Sequence, residues 1–252
     1  MFRLCTGVKE KASGSGSRVL DADRPSDRGD TEERRPYPSV SDQAILEQRR
    51  DRILDIAEKC IRRVGHRKTT IADIASDLGT SRANVYRFFP TKAAIDNSVF
   101  ARIAKEVAEV ALSITRTDAA ASKMLVEFLN VLYRHSRRTL MEERPVHELF
   151  VAAMDENWAT MNAHNERIRA ILEAIIRKGL QAGEFQVEDA GRATRGVMTA
   201  FLPFFHPVLV EQGVQEGKDM AVAAYAQIRF IMQALGKSDW RRADTSEVMI
   251  SA

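Results

Sequence analysis

Apolar residues recur at intervals of three and four along most of the chain, which is the spacing of one face of an α-helix. No segment keeps the strict alternation that is typical of a β-strand. Only 7 Pro and 13 Gly occur in 252 residues, so few positions oppose helix formation. The pattern therefore predicts an all-α fold.

The first half of the pattern divides into one ordinary helix, two very short helices and one long helix. Capping residues and helix breakers separate them at the positions where each apolar stripe stops. The candidate N-caps are Ser41 or Asp42, Thr70, Thr80 and Thr91, and the candidate ends are Gly65, Gly79 and Pro90.

Longer helices are predicted for the second half. Their expected ranges are 119–141, 146–154, 158–181, 189 to beyond 205, and 218–235. Pro203 is expected to kink or interrupt the fourth of them, because proline cannot donate a helical hydrogen bond and its ring clashes with the preceding turn.

These elements imply four parts. Residues 1–41 are charged and rich in Gly, Ser and Pro, so we expect a disordered N-terminal tail. Residues 42–92 are expected to form a three-helix N-terminal domain, and residues 93–238 a larger helical domain. Residues 239–252 are polar and are expected to be a flexible C-terminal tail.

The two short helices and the glycine between them predict a helix-turn-helix. Gly79 suits the turn because a left-handed backbone disfavours a Cβ atom. Ala75 lets the helices approach, and Val85 is expected to pack inward. The remaining side chains of the second helix face outward: Ser81, Arg82, Ala83, Asn84, Tyr86 and Arg87.

That outward set matches the chemistry of DNA recognition. Arginine pairs with guanine, asparagine pairs with adenine, and a small side chain contacts the thymine methyl group. Residues 42–92 carry 11 Lys or Arg and 7 Asp or Glu, a balance of +4, whereas residues 93–252 carry 19 and 21, a balance of −2. The basic excess favours a polyanionic partner, although a solvated helical face would show the same balance.

The helix-turn-helix segment resembles the N-terminal DNA-binding domain of TetR-family transcriptional regulators. That family carries the pattern "TT…IA…G.S…Y.FF..K". Here the pattern is matched in order by Thr69-Thr70, Ile74-Ala75, Gly79, Ser81, Tyr86, Phe88-Phe89 and Lys92. His66 departs from it, because members often have an aromatic residue after the preceding glycine.

The resemblance assigns roles to individual residues. It implies that Arg82, Ala83 and Asn84 read bases, that Ser81 belongs to the same face, and that a second group positions phosphates. That second group is Thr70, Tyr86 and Lys92. The alternatives are a core ring with a solvated hydroxyl at Tyr86 and an ordinary solvated lysine at Lys92.

A short reading helix makes few contacts, so such proteins bind DNA as two-fold dimers with reading helices about 34 Å apart. The last two predicted helices are apolar enough to form the dimer surface. The candidate interface residues are Met198, Phe205, Ala224, Ile228, Ile231 and Met232. The alternative is that they belong to the chain's own core.

In the resembled family a ligand in the C-terminal domain changes the spacing of the two reading heads, through the fourth helix. The aromatic and soft residues of the second half supply pocket candidates, alongside the alternative that they are ordinary core. The candidates are Phe128, Tyr133, His147, Trp158, Met161 and Phe201. The histidines lie on different predicted helices without close ligand spacing, so we expect no metal site.

The function implied is a bacterial repressor in the cytoplasm. It would bind a palindromic double-stranded DNA operator as a homodimer and be released by a small-molecule effector. The alternatives are a TetR-like activator, a regulator without a small-molecule ligand, and a helical enzyme with a DNA-binding appendage. The enzyme is disfavoured because the sequence has no Gly-rich phosphate loop and no G-x-S-x-G motif.

Three further expectations complete the interpretation. We expect no cofactor. The two cysteines, Cys5 and Cys60, form no CxxC pair, so neither a disulfide framework nor a zinc knuckle is expected. The longest uncharged apolar run spans 15 residues, from 196 to 210, which is short of the roughly 20 needed to cross a bilayer, so no membrane partner is expected.

Overall fold

The computed structural model describes residues 40–236, with side chains from residue 42 onward. These residues form ten α-helices and one 3-10 turn and contain no strand, so the all-α prediction is confirmed. The helices are α1 (Val40–Val64), α2 (Ile71–Asp77), α3 (Arg82–Tyr86), α4 (Lys92–Thr115), α5 (Ala121–Met141), α6 (Arg144–Asp155), α7 (Ala159–Gln181), α8 (Ala190–Phe201), α9 (Pro207–Gln215) and α10 (Met220–Ala234).

The region around Pro203 differs from the sequence prediction by one additional helix. Helix α8 ends at Phe201, the 3-10 turn covers Leu202–Phe204, and α9 starts at Pro207. Two prolines explain the break, because each lacks the N–H group that would continue the preceding helix. Pro207 occupies the first turn of α9, where a missing N–H is tolerated.

The predicted tails fall almost entirely outside the described residues. Val40 and Ser41 form the first residues of α1, whereas 1–39 and 237–252 are not described. The division between 92 and 93 stays a prediction, and it coincides with the start of α4 at Lys92.

Two hydrophobic clusters form the interior of residues 40–236. The first joins α1, α2 and α3 to the first half of α4, around fully buried residues such as Ile74, Val85 and Phe100. Helix α6 also packs into this cluster, through Val146 and Leu149. A helix from the second half of the chain therefore completes the core beneath the short N-terminal helices.

The second cluster contains the end of α4 and most of α5, α7, α8 and α10. Helix α4 contributes to both clusters, with Ala104 in the first and Ala108 in the second. One continuous helix of 24 residues therefore belongs to both clusters.

Within the described residues, no single helix has both the length and the apolar composition needed to cross a bilayer. One bent pair, Ala190–Phe204 with Pro207–Gln215, meets both criteria only when the two segments are taken together.

Candidate DNA-binding face and effector cavity

Short-range hydrogen bonds set the geometry of the helix-turn-helix. Thr70 caps α2, since its hydroxyl accepts a hydrogen bond from Asp73 N at 3.2 Å and its own N–H donates to Asp73 Oδ2 at 2.9 Å. The Thr70 hydroxyl also donates to Asp73 Oδ2 at 2.7 Å, and this bond, together with the one from Thr70 N, lowers the pKa of the Asp73 carboxyl. The reciprocal pair satisfies two N–H groups that a helix start otherwise leaves unpaired.

The turn into α3 depends on Gly79 and Ser81. Gly79 has a φ of +65°, a left-handed conformation that glycine adopts without a Cβ penalty. Ser81 caps α3 by accepting a hydrogen bond from Asn84 N at 3.2 Å. The predicted cap was Thr80, which is wrong by one residue; the Thr80 hydroxyl accepts a hydrogen bond from the Asn84 side chain instead.

The face of α3 opposite its core contact is exposed. Val85 is fully buried, whereas Arg82 and Ala83 are exposed and Asn84 is half-buried. Tyr86 is 50% exposed, so its ring is not a core ring. The structure therefore brings these predicted DNA contacts to one surface, while their role on DNA stays a prediction.

The Lys92 side chain is 25% exposed and is bound by neighbouring groups of the protein, while its predicted contact with phosphate stays a prediction. Its ammonium donates to the His66 carbonyl at 3.1 Å and to Asp96 Oδ1 at 2.5 Å. Burial raises the pKa of the Asp96 carboxyl, although Lys92 opposes that effect. Lys92 thus neutralises a buried carboxylate at the start of α4, a local role that the sequence pattern did not indicate.

Four cations, on α3 and in the segments directly before α2 and after α3, have no acidic partner among the described residues. Within residues 42–236, Arg67, Lys68, Arg82 and Arg87 are exposed and form no ion pair. Arg67, Lys68 and Arg87 are absent from the predicted site. A usable signal was present for two of them, because adjacent basic residues just before an N-cap lie beside exposed amides that attract phosphate.

A cavity of about 410 Å³ lies where the two hydrophobic clusters meet. Its lining comes from α4 to α8 and from the segment around the 3-10 turn. The lining includes Val107, His135, Ser136, Thr139, Phe150, Met154, Met161, His164, Asn165, Glu166, Arg169, Arg195, Met198, Phe205 and His206. This volume is within the range of pockets that hold drug-sized ligands.

Three histidines in the lining are biased toward the neutral form. Burial lowers the pKa of His135 to about 4 and that of His164 to about 4, and it also lowers the pKa of His206. Two buried ring nitrogens, His135 Nε2 and His206 Nδ1, have no hydrogen-bonding partner among the described protein atoms. The cavity therefore combines apolar walls with uncharged imidazoles.

The three histidines lie on α5, on α7 and just before α9. Their separation in sequence left no spacing signal, so the sequence identified them only as scattered residues. Among the described residues, no group of three or more His, Cys, Asp or Glu side chains is arranged to hold a metal ion.

Only one of the six predicted pocket residues, Met161, lines this cavity among the described residues. Phe128, Tyr133 and Phe201 belong to the second hydrophobic cluster, because their helices turn them toward the centre of the bundle. Trp158 packs against the first cluster. Together with His147, these residues lie outside the lining of this cavity, and their contact with a ligand stays a prediction.

His147 has a contact that joins two helices. Its Nε2 lies 3.1 Å from Glu211 Oε2, and Arg144 Nη2 lies 2.7 Å from the other oxygen of the same carboxylate. Burial lowers the pKa of His147, whereas Glu211 opposes this shift. The arrangement ties α6 to α9, beside the cavity.

The predicted dimer residues have two different locations. Met198 and Phe205 line the cavity. Ala224, Ile228, Ile231 and Met232 are each less than 5% exposed in the second cluster, so they have almost no surface left for another subunit. The exposed face of α10 instead carries Val222, Ala226 and Phe230, with Val222 and Phe230 at least 60% exposed.

Aromatic contacts connect the cavity to the core beneath the helix-turn-helix. The Phe150 ring, in the lining, lies 4.9 Å from the Phe100 ring on α4 in an edge-on arrangement. His164 lies 6.5 Å from Phe100 in the same geometry and forms a hydrogen bond with the Ala104 backbone. The cavity lining and the first hydrophobic cluster therefore both contact α4.

Two family models match the chain. The model described as "Bacterial regulatory proteins, tetR family" matches residues 53–99, and "Tetracyclin repressor-like, C-terminal domain" matches residues 121–225. Together they cover more than half of the chain, including the helix-turn-helix and most of the cavity lining. No curated protein matches the chain significantly.

Solved structures share the fold at low sequence identity. A putative TetR-family transcriptional regulator from Mesorhizobium loti aligns with a TM-score of 0.57 and 18% identity, covering 75% of this chain and 97% of that one. A putative transcriptional regulator from Saccharomonospora viridis, in complex with choline, aligns with a TM-score of 0.54 and 23% identity, covering 75% and 94%. FadR from Bacillus subtilis, in complex with stearoyl-CoA, aligns at 0.52 and 18%, covering 72% and 97%.

Proposed function

The chain belongs to the TetR family, whose members are DNA-binding transcriptional regulators, and from this premise we propose that it is a ligand-released repressor. It binds a palindromic operator as a homodimer in the bacterial cytoplasm and has no catalytic role. The observation that carries the proposal is the exposed polar face of α3, flanked by cations without acidic partners.

DNA recognition divides between two kinds of contact. Arg82, Ala83 and Asn84 present a bidentate donor, a small apolar group and an amide to the base edges of a major groove. Phosphate contacts can come from Arg67, Lys68 and Arg87. Such contacts set the register of the protein on the duplex and supply salt-dependent affinity. Lys92 acts mainly by holding the start of α4 and not by binding phosphate.

The dimer forms through the exposed apolar face of α10. Val222, Ala226 and Phe230 follow one another at four-residue intervals, so they lie along one stripe of the helix. A second copy of the chain covers this stripe with its own, which places two reading helices at successive major grooves.

The effector acts from the cavity. Two of the compared structures hold choline and stearoyl-CoA, so this fold accommodates small molecules of different chemistry. Phe150 and Met161 line the cavity and also belong to the cluster beneath the helix-turn-helix. A ligand that binds one arrangement of these walls more tightly shifts α4, and with it the distance between the reading helices.

DNA-binding assays with three alanine variants test the recognition model. The operator is sought in the DNA upstream of the gene that encodes this chain, and genome-wide footprinting locates the bound site. Arg82→Ala should reduce discrimination at one base position by about 1–3 kcal/mol, whereas Lys68→Ala should weaken binding to every sequence and reduce the salt slope by about 1. Arg137→Ala, which removes an exposed charge from α5, is the matched control and should bind like the parent chain.

If Arg82→Ala and Lys68→Ala both bind the operator like the Arg137→Ala control, α3 is not the reading helix. Deleting the regulator then distinguishes its two possible roles. Expression of the neighbouring gene should rise if the regulator is a repressor and fall if it is an activator.

Sedimentation of a charged variant tests the dimer. Phe230→Glu places a charge on the α10 stripe and should yield monomers at micromolar concentration, because an unpaired charge would be buried in the interface. Val110→Glu, at an exposed apolar position on α4, is the control. A Phe230→Glu variant that still sediments as a dimer would exclude this stripe as the interface.

A further inference from the structure

The cavity contains polar atoms that the protein itself leaves without partners. His135 Nε2 and His206 Nδ1 are buried, and among the described residues neither has a hydrogen-bonding partner. Nearly all buried polar groups in folded proteins are paired, so each exception points to strain or to a partner that binds there. Both residues line the same cavity.

The other uncharged polar side chains of the lining that are buried or half-buried, Ser136, Thr139 and His164, already form hydrogen bonds. Ser136 donates to the Phe205 carbonyl at 2.9 Å, and Thr139 donates to the Ser136 carbonyl at 3.0 Å. His164 is hydrogen-bonded to the Ala104 backbone. The two unpartnered imidazoles are thus the buried groups with hydrogen-bonding capacity to spare.

The charges of the lining are compensated or exposed. Arg169 pairs with Glu166 at 2.6 Å and with Glu173 at 3.2 Å. Glu166 and Arg195 are exposed to solvent. A group with a pKa of about 4, as burial gives His135, is protonated in roughly one molecule in a thousand at pH 7.

We propose that the cavity binds an uncharged aromatic molecule carrying hydroxyl groups, and that its hydroxyls pair with His135 and His206. This inference rests on the proposed function, because it takes the cavity as the effector site. A hydroxyl donates a hydrogen bond to the lone pair of an unprotonated imidazole nitrogen, which an ether oxygen cannot do.

The apolar walls favour an aromatic body over an alkyl chain. Phe150 and Phe205 supply ring faces and edges, and Met154, Met161 and Met198 supply polarisable sulfur atoms that contact rings favourably. Methionine side chains also adapt to irregular outlines, so the walls accept planar molecules of several shapes.

Charged ligands are disfavoured by the same lining. Among the described lining residues, the cation without an ion pair is Arg195, and it is exposed to solvent. A carboxylate beside the two buried imidazoles would therefore lose its hydration without pairing with a buried cation. A cation would find no unpaired carboxylate, since Glu166 is committed to Arg169. An uncharged hydroxylated molecule avoids both penalties and still pairs the two nitrogens.

Three probes of one size test the ligand class on the unmodified full-length chain. They are 2-naphthol, its methyl ether 2-methoxynaphthalene, and 2-naphthoate, compared by titration calorimetry at pH 7. The naphthol should bind at least about tenfold more tightly than the ether, which keeps the rings but cannot donate a hydrogen bond, and than the carboxylate.

Variants locate the effect in the cavity. His135→Phe and His206→Phe remove a ring nitrogen and keep an aromatic ring, so each should shrink the difference between naphthol and ether. His66→Phe is the matched control, because His66 Nδ1 is also buried without a partner but lies outside the lining. The control should leave that difference unchanged.

Circular dichroism confirms that each variant folds, and the three-probe comparison does not depend on any variant. The inference is overturned if naphthol and ether bind equally, if the carboxylate binds most tightly, or if no probe binds. Operator binding by the same ligand-free preparation separates the two proposals: if it persists while the probes fail, the ligand class is wrong and the DNA-binding function stands.

Discussion

The exposed face of α3, which we propose reads DNA, and the cavity, which we propose binds the effector, differ in the solvent exposure of their polar groups. On the reading face, Arg82 and Ser81 are exposed, and the capping hydrogen bonds span only three residues. In the cavity, the polar atoms come from helices far apart in sequence, and two nitrogens, on His135 and His206, are buried without partners.

The difference shows how two kinds of binding surface are stabilised. A reading face loses little when DNA is absent, because water hydrates its charges. A cavity with unpaired buried nitrogens is less stable by about 1–3 kcal/mol for each such group until a partner pairs it. We therefore expect ligand binding to raise the folding stability at the cavity, and DNA binding to α3 to depend little on that stability.

Phe100 connects these two regions. It is fully buried on α4, within the first cluster, and its ring contacts Phe150, Trp158 and His164 edge-on. The strongest test of the comparison is therefore to remove this ring.

Phe100→Ala should lower the free energy of unfolding by about 4 kcal/mol, because it leaves a cavity between the two clusters. Urea unfolding followed by circular dichroism measures the loss. Val110→Ala, at an exposed position of the same helix, should change it by less than about 0.5 kcal/mol. Two separate unfolding transitions in the parent chain would show that α4 does not couple the regions.

Lys92→Ala tests whether this residue belongs to the reading face or to the interior. Removing the ammonium leaves the buried Asp96 carboxylate without its partner, so unfolding should become easier by about 3 kcal/mol. The double change Lys92→Ala with Asp96→Asn should recover most of that loss, because no buried charge remains. If Lys92→Ala leaves the free energy of unfolding unchanged and only weakens DNA binding, Lys92 contacts phosphate as the sequence predicted.

Acidification tests the buried imidazoles of the cavity. The pKa of His135 is about 4 in the folded chain and 6.5 when unperturbed, since burial, together with the charges of Arg138, His164 and Arg62, opposes its protonation. The unfolded chain therefore takes up a proton first as pH falls below 6.5, and stability decreases until the folded pKa near 4 is reached.

Between pH 7.5 and pH 5, the parent chain should lose about 2 kcal/mol more unfolding free energy than His135→Phe. Chemical unfolding at both pH values measures this difference. Asn165→Ala, an exposed position of the same lining, should keep the parent's pH dependence. Identical pH dependence in His135→Phe and the parent would mean that His135 is hydrated in the folded chain.

The caps and turn of the helix-turn-helix followed closely from sequence. Thr70, Thr91 and Gly79 lie where they were expected, and only the cap of α3 moved by one residue, from Thr80 to Ser81. Their partners lie within three or four positions along the chain, so a local pattern contains the information that places them.

The faces of α10 could not be assigned in the same way. Its sequence, MAVAAYAQIRFIMQA, is apolar on nearly every side, so periodicity did not separate the core residue Ile228 from the exposed Phe230. Packing against α8 decided which stripe was buried, and that choice depends on contacts with a helix about 30 residues earlier.

The sequence alone determined the order of the helices before α8, the position of the turn and the chemistry presented by α3, because those features arise from interactions among near neighbours. Tertiary structure alone decided which histidines share a cavity, which cation is neutralised inside, and which side of the last helix faces outward. Each of these depends on residues that are distant in sequence and adjacent only after the helices have packed.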